Sequence, residues 1–235
     1  MPFQTTNWTL VVRAGNGDST GARDALAALC EAYWYPVYAF IRRQGYSAAD
    51  AEDLTQGYFT RFIEKQFVKD LKPEAGRFRA FVLASVRHFL SNERDRDRAQ
   101  KRGGGRPPSS LDGPTAEERY ALEPVNPVTP ESIFERAWAS AVVDRALARL
   151  ANEVARAEGI ERFDQLKAHL TGEDEPSTYR DLAAEWGVGE SAVRVSVHRL
   201  RKRFGRLLRE EVAATVADPA DVDAELRYLL EVLGG

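Results

Sequence analysis

Residues 178–204 of this 235-residue chain carry two short apolar stripes separated by a glycine-containing turn. The stripe residues before the turn are Leu182, Ala183 and Trp186, and those after it are Val193, Val197, Leu200 and Phe204. Steps of three and four residues put the side chains of each stripe on one face of a helix. The turn itself is Gly187-Val188-Gly189. The segment therefore predicts two helices that pack on each other across a tight turn, as in a helix-turn-helix.

The second helix of this pair carries a basic outer surface. Its candidate contact residues are Ser191, Arg194, His198 and Arg201 on one face, with Arg199 and Lys202 beside them. Long cations suit DNA phosphates, and shorter polar side chains suit base edges in the major groove. An arginine run alone is more often a solvated helix face, but this run follows a turn at the recognition-helix position. We therefore predict that these residues bind DNA.

The N-terminal part of the chain contains three further amphipathic segments. The first covers residues 22–44 and has Pro36 within its apolar pattern, which predicts a bend or a restart of the helix. The second begins after Ser47, a residue type that caps helix N-termini, and its predicted core face is Leu54, Tyr58, Phe62 and Ile63. The third begins near Phe78. These helical periods predict one compact helical unit.

The composition changes after the third segment. Three glycines occupy positions 103–105, and the prolines that follow are Pro107, Pro108, Pro114, Pro124, Pro127 and Pro130. No core-facing period survives there, so a flexible linker is predicted. Thr129 before Pro130 then indicates the start of another helix. The predicted fold class is all-α, with two small helical domains joined by a flexible Gly/Pro-rich linker.

The predicted domain organisation has five parts. An N-terminal extension covers residues 1–21, the first helical domain 22–102, the linker 103–129, the second helical domain 130–210 and a C-terminal tail 211–235. The whole chain has 33 Lys and Arg against 36 Asp and Glu, a net charge of −3, but the tail is strongly acidic. Its apolar residues predict a short amphipathic helix and are Val222, Leu226, Leu229, Leu230 and Val232.

Several classes of protein are disfavoured by the sequence. The single cysteine, Cys30, cannot form an intramolecular disulfide, and no stretch approaches the roughly 18 apolar residues of a membrane span. There is no secretory signal pattern, so a cytoplasmic protein without membrane binding is expected. Metal-binding spacings and phosphate-cradling glycine loops are absent from the sequence. The chain is therefore predicted to be no enzyme, with no metal and no cofactor.

Two parts of the chain resemble regions of the extracytoplasmic-function sigma factors. Two runs of this chain resemble region two of that family: ALCEAYWYPVYAFIRRQGYSAADAEDLTQGYFTRFIEK and GRFRAFVLASVRHFLSNERDRDRAQKR. A third run of this chain resembles region four: YRDLAAEWGVGESAVRVSVHRLRKRF. The two regions stand in the family's order and together cover about residues 22–102 and 131–210. The resemblance implies an alternative sigma factor that binds core RNA polymerase and directs it to promoter DNA.

The resemblance also implies roles for individual residues. The residues implied to dock on the polymerase are Asp50, Glu52, Asp53 and Gln56. An alternative explanation is that acidic residues in a first helical turn only complement the helix dipole. The third helix is basic at Arg77, Arg79, Arg87, Arg94 and Arg98, and melted minus-ten DNA is expected to contact Arg87, His88, Arg94 and Arg98. The minus-thirty-five groove is expected to contact Ser191, Arg194, His198 and Arg201. Because His88 replaces the family's usual Asn, no base preference is implied.

Two alternatives and two regulatory hypotheses remain open at this point. The chain could instead be a helix-turn-helix regulator that binds duplex DNA as a dimer without polymerase. The tail could bind an anti-sigma factor or another regulator, or could fold back on either domain and restrain DNA or polymerase binding. Thr55 lies inside the docking run, where a phosphate would add negative charge.

Overall fold

The computed structural model describes residues 20–64, 77–100, 116–121, 129–158, 160–171 and 178–234. Almost all of these residues are helical, which confirms the predicted all-α class. Residues 1–19 of the predicted N-terminal extension and most of the predicted linker lie outside the described residues. Within the described ranges, none of the helices has the length and apolar character needed to cross a membrane.

The helices are numbered along the chain from its N-terminal side. They are α1 Thr20–Arg43, α2 Ala48–Ile63, α3 Phe78–Gln100, α4 Ala116–Ala121, α5 Pro130–Glu158, α6 Ile160–Thr171, α7 Tyr179–Trp186, α8 Glu190–Ala213 and α9 Val222–Gly234. A short 3-10 turn, Pro219–Asp221, precedes α9.

Local capping signals place the helix starts as predicted. Ser47 caps α2, because its side-chain oxygen accepts a hydrogen bond from the Asp50 backbone N–H at 3.1 Å. Thr129 caps α5 in the same way through the Ser132 backbone N–H, also at 3.1 Å, and Pro130 is the first helical residue. Pro36 lies inside α1, which remains a single helix over Thr20–Arg43.

The described residues form two compact units. Unit 1 comprises the described residues up to Ala141 together with those from Val212 onward, and unit 2 comprises Val142–Glu211. Helices α5 and α8 each cross from one unit into the other along the chain. The sequence predicted domain boundaries at residues 130 and 210, whereas the first part of α5 and the whole of α9 pack within unit 1.

Aromatic side chains dominate the core of unit 1. The ring of Tyr33 packs edge-on to that of Phe78, with centroids 5.0 Å apart. Phe134, near the start of α5, lies 6.3 Å from the Tyr33 ring and 6.4 Å from the Phe40 ring and is fully buried. This part of α5 therefore belongs to the same core as α1 and α3.

The buried face of α2 differs in part from the prediction. Tyr58 and Phe62 are buried as expected, but Leu54 is only half-buried and Ile63 is 52% exposed, so the prediction was wrong for Ile63. The buried residues of α2 are Ala51, Thr55, Tyr58, Phe59 and Phe62. The buried face of α2 therefore includes Thr55, whereas the predicted face included Leu54.

Thr55 is fully buried, and its hydroxyl donates a hydrogen bond to the Ala51 carbonyl oxygen at 2.6 Å. A kinase cannot reach this hydroxyl while α2 is folded against its neighbours. The hypothesis of phosphorylation at Thr55 is therefore wrong for the folded chain.

The C-terminal segment completes unit 1. The Phe78 backbone N–H donates to the Thr215 carbonyl oxygen at 3.1 Å, and Arg77 forms an isolated antiparallel bridge with Val216. In α9, Val222 and Leu229 are buried. The tail hypothesis named folding onto the first helical domain as one alternative, and the described residues place α9 within that unit.

A buried charge network joins α9 to α3 and α5. Arg79, only 6% exposed, donates from Nε to Glu225 Oε1 at 2.6 Å and from Nη1 to both Glu135 oxygens at 2.7 and 2.8 Å. Arg77 Nε lies 3.1 Å from Glu225 Oε2. The Arg79 guanidinium also stacks 3.9 Å from the centre of the Tyr228 ring. The two arginines and two glutamates of this network therefore carry equal and opposite charges.

Helix α4 falls within the segment predicted to be a linker. Its Glu117 accepts hydrogen bonds from Arg42 Nε at 2.8 Å, from Arg42 Nη2 at 2.6 Å and from the Tyr38 hydroxyl at 2.6 Å. Arg119 stacks on the ring of Tyr35 at 4.2 Å. This part of the predicted linker is therefore ordered against α1.

We expect the contact between α4 and α1 to depend on pH. The hydrogen bond from Arg42, followed by that from Tyr38, lowers the pKa of Glu117 from 4.5 to about 2. Because the folded-state pKa is depressed, the stabilisation is complete above the ordinary pKa and is lost as the pH falls toward 2. Glu117 is partly exposed, so Glu117→Gln should lower the free energy of unfolding at pH 7 by about 1 kcal/mol or less.

Unfolding of wild type and Glu117→Gln at pH 7 and pH 2 measures this effect. The difference between them should shrink toward zero at pH 2. The exposed neighbour Glu118 provides the matched control, since Glu118→Gln should have no such pH-dependent effect. An equal difference at both pH values would contradict the role of the Glu117 carboxylate.

Candidate nucleic-acid interface

Reciprocal hydrogen bonds fix the start of α7. The Thr178 hydroxyl oxygen accepts from the Asp181 backbone N–H at 3.2 Å, and Asp181 Oδ2 accepts from the Thr178 backbone N–H at 3.1 Å. This arrangement is a capping box. The hydrogen bonds from Thr178 lower the pKa of Asp181. The helix that precedes the turn therefore begins at a defined residue.

Gly187 ends α7 in the left-handed conformation, with φ of 64°. This geometry brings the Val188 backbone N–H to 3.0 Å from the Ala183 carbonyl oxygen and so caps the end of the helix. Helix α8 begins at Glu190, so only three residues separate the two helices. The glycine turn predicted from sequence is thus present.

Gly187→Ala is expected to destabilise unit 2 by about 1–2 kcal/mol, because an L side chain is strained at this positive φ. Gly205 offers a matched control, since it lies inside α8 and a Cβ there meets nothing within 4 Å. Gly205→Ala should stabilise the protein by about 0.5–1 kcal/mol, because alanine favours the helix. Chemical denaturation measures both values. Stabilisation by both substitutions would contradict the turn geometry.

The two predicted apolar stripes form the core of unit 2. Leu182 and Ala183 of α7 are buried in one cluster with Val193, Val197 and Leu200 of α8. Helix α8 also contributes Leu207, and helices α5 and α6 contribute the other buried members, which are Ala146, Leu150, Val154, Phe163 and Leu166. Trp186 and Phe204 are partly buried against this cluster. The inward faces of both helices are therefore as predicted.

All of the residues of α8 that were predicted to bind DNA are exposed: Ser191, Arg194, His198, Arg199, Arg201 and Lys202. Arg194 pairs with Glu190 at 2.7 Å, and its guanidinium lies 5.3 Å from the centre of the Tyr179 ring. Arg201 Nη2 donates to the His169 carbonyl oxygen at 3.1 Å. Arg194 and Arg201 are thus oriented by neighbouring groups while remaining exposed at the surface.

The second predicted DNA surface lies on α3, where Arg87, His88 and Arg94 are exposed. Arg87 forms a salt bridge with Glu131. His88 Nδ1 lies 3.3 Å from the Asn92 side-chain nitrogen. The fourth predicted residue, Arg98, has a side chain outside the described part of the structure.

Sequence reasoning missed one aromatic residue beside this surface. Arg94 donates to the Tyr46 hydroxyl at 2.9 Å and to Gln44 Oε1 at 2.6 Å. Tyr46 follows Gly45 between α1 and α2, so no helical period could reveal it. The aromatic residues of the third helix, by contrast, serve the core: Phe78 and Phe89 are buried.

The sequence predicted Arg79 as one of the cations of a basic third helix, and the structure corrects its placement. It is buried in the network with Glu135 and Glu225, and Arg77 contacts the same Glu225 carboxylate. These two arginines therefore cannot contribute freely to a DNA surface. The exposed positive charge of α3 begins at Arg87.

The predicted polymerase-docking residues follow one side of α2. Asp50 and Asp53 are exposed, whereas Glu52 and Gln56 are half-buried. Asp50 accepts a hydrogen bond from the Ser47 hydroxyl at 2.7 Å, which ties it to the helix cap. The run thus presents carboxylates to solvent beside a buried aromatic core.

The described residues contain no group of three or more His, Cys, Asp or Glu side chains arranged to hold a metal ion. Comparison of the chain with known protein families, with curated protein sequences and with solved structures finds no match.

Proposed function

We propose that this chain is an alternative sigma factor that binds core RNA polymerase and directs it to promoters. In this proposal α2 docks on the polymerase, α3 contacts melted minus-ten DNA, and α8 enters the major groove of the minus-thirty-five element. The observation that carries it is the surface of α8, where six candidate DNA contacts are exposed beside a buried stripe. A recognition helix needs an apolar face that packs on its own domain and an exposed polar face that contacts DNA.

The carboxylates of α2 support the polymerase part of the proposal. Asp50 and Asp53 are exposed, and the described residues include no ion pair that occupies Asp53. An exposed acidic run next to a rigid aromatic core suits a basic partner surface, because complementary charge steers association. The sequence resemblance assigns the same run to polymerase docking.

The proposal includes two helical domains joined by a flexible Gly/Pro-rich linker over residues 103–129. The division of the described residues into two compact units supports the presence of two helical bodies. The contacts of Arg42 and Tyr38 with Glu117 hold α4, which is part of this proposed linker, against α1.

Co-purification with core RNA polymerase on a size-exclusion column tests the proposal. Wild type should co-elute with the polymerase, and Asp53→Arg should weaken binding at least about tenfold, because reversed charge faces a basic surface. Glu161→Arg is the matched control, since Glu161 is exposed on α6 in unit 2. This variant should co-elute as wild type does.

A wild-type chain that elutes apart from the polymerase, yet shifts duplex DNA by itself, would contradict the sigma-factor proposal. It would favour the alternative of a dimeric helix-turn-helix regulator. A palindromic binding site would then be expected, because half-sites mirror the two-fold symmetry of a dimer.

A further inference from the structure

Unit 2 contains a groove of about 800 Å³ on a second side of α8. Residues of α5, α6 and α8 line it, and the cations among them are Arg162, Arg199, Lys202, Arg203 and Arg206. Ser196, Arg199 and Arg203 recur at helical spacing, on a face turned roughly 140° from that of Ser191 and Arg194 at 3.6 residues per turn. The groove therefore lies beside the face of Ser191 and Arg194, and it shares Arg199 and Lys202 with the predicted DNA contacts.

The groove combines an apolar floor with cationic walls. Its floor is formed by Val154, Leu166 and Leu200, which are at most 3% exposed, so the apolar surface open to a ligand also includes the aliphatic stems of the lining cations. Its walls carry four arginines and one lysine. A site of this kind suits a ligand that has both an apolar body and a negatively charged group.

The cations of the groove differ in how far they are already neutralised. Arg206 is paired with Glu153 at 2.9 Å and with Glu210 at 2.7 Å. Among the described residues, by contrast, no ion pair engages Arg199 or Lys202. The Arg162 guanidinium lies 5.1 Å from the centre of the Trp186 ring. The available positive charge is thus concentrated away from the Arg206 end of the groove.

We propose that this groove binds a small organic polyphosphate of the nucleotide class. The phosphates contact Arg199, Lys202 and Arg162, since guanidinium and ammonium groups form charge-assisted hydrogen bonds with phosphate oxygens. The apolar body of the ligand covers the floor. The volume lies within the range of about 300–1,000 Å³ that small-molecule sites occupy.

The acidic residues at one end favour a small ligand over a nucleic-acid strand. Glu153 and Glu210 lie against Arg206, which is the last residue of α8 that lines the groove. Their carboxylates repel further phosphates at that point. A ligand that ends within the groove avoids this repulsion.

Calorimetric titration of the full chain with ATP in magnesium-free buffer tests this inference, with inorganic triphosphate and a single-stranded oligothymidine as further probes. ATP should bind, and inorganic triphosphate should bind about tenfold more weakly because it lacks the apolar body. Ser196→Glu places a carboxylate in the groove and should weaken ATP binding about tenfold. The matched control, Ser191→Glu, places the same charge on the exposed base-contacting face and should bind ATP as wild type does.

Four results would overturn the inference. They are no binding of ATP, equal binding of ATP and inorganic triphosphate, equal loss in both serine variants, and tighter binding of the oligothymidine that Ser196→Glu abolishes. The last would identify the groove as part of a nucleic-acid surface. None of these results depends on polymerase, so the outcome is independent of the sigma-factor proposal.

Discussion

Replacing Glu225 by alanine is expected to lower the free energy of unfolding by about 3–5 kcal/mol. The side chain of Glu225 is fully buried and accepts from Arg79 Nε at 2.6 Å. Its removal leaves Arg79, itself 6% exposed, with Glu135 as its remaining carboxylate partner. The free energy of unfolding falls because the buried positive charge of Arg79 has lost one of its carboxylate partners. Urea denaturation at pH 7 measures the change.

Two comparisons isolate the network as the cause. Glu231 is exposed on the same helix, so Glu231→Ala should change the free energy of unfolding by no more than about 0.5 kcal/mol. In a double-mutant cycle, Arg79→Ala combined with Glu225→Ala should cost less than the sum of the single substitutions. A loss below about 1 kcal/mol for Glu225→Ala, or strict additivity in the cycle, would contradict the proposed role of the pair.

The tail illustrates what the sequence could and could not predict. Its apolar period correctly indicated a helix, and Val222 and Leu229 are buried. Leu230, however, is 61% exposed, while Glu225 is fully buried. The pairing of Glu225 with Arg79 joins residues 146 positions apart. No local pattern encodes such a partner, because glutamate usually marks a solvent-exposed position.

Features set by neighbouring residues were predicted more reliably. The cap at Ser47, the helix start at Thr129-Pro130 and the turn at Gly187 depend on hydrogen bonds within a few residues. The exposed face of α8 followed from the buried stripe beside it. The burial of Thr55 and Arg79 depends on tertiary packing, so a helical period alone could not reveal it.

The same distinction applies to the candidate site on α3. The sequence predicted cations at the surface at Arg87 and Arg94, and both lie there. It could not predict that Arg94 would contact Tyr46, 48 residues earlier in the chain. It also offered no reason to divide α5 between two cores, because its helical period continues through the boundary at Ala141.

The division of α5 leads to a second large expected effect. Phe134 is fully buried among the aromatic residues of unit 1, and Leu150, on the same helix, is fully buried in the cluster of unit 2. Phe134→Ala should cost about 3–5 kcal/mol and Leu150→Ala about 2–5 kcal/mol, because each removes core contacts and leaves a cavity. The two substitutions should nevertheless loosen different parts of the chain.

Native-state hydrogen exchange distinguishes the two effects, because amides that open with a destabilised core exchange faster. Phe134→Ala should accelerate exchange chiefly in α1, where Tyr33 and Phe40 contact the missing ring. Leu150→Ala should act chiefly on α7 and α8, which share its cluster. Equal acceleration of both sets of amides by either variant would contradict the assignment of the two halves of α5 to separate cores. Faster exchange in only one set of amides for each variant would mean that one continuous helix stabilises two cores. The sequence did not predict this, because it placed the domain boundary at residue 130 and so assigned all of α5 to the second domain.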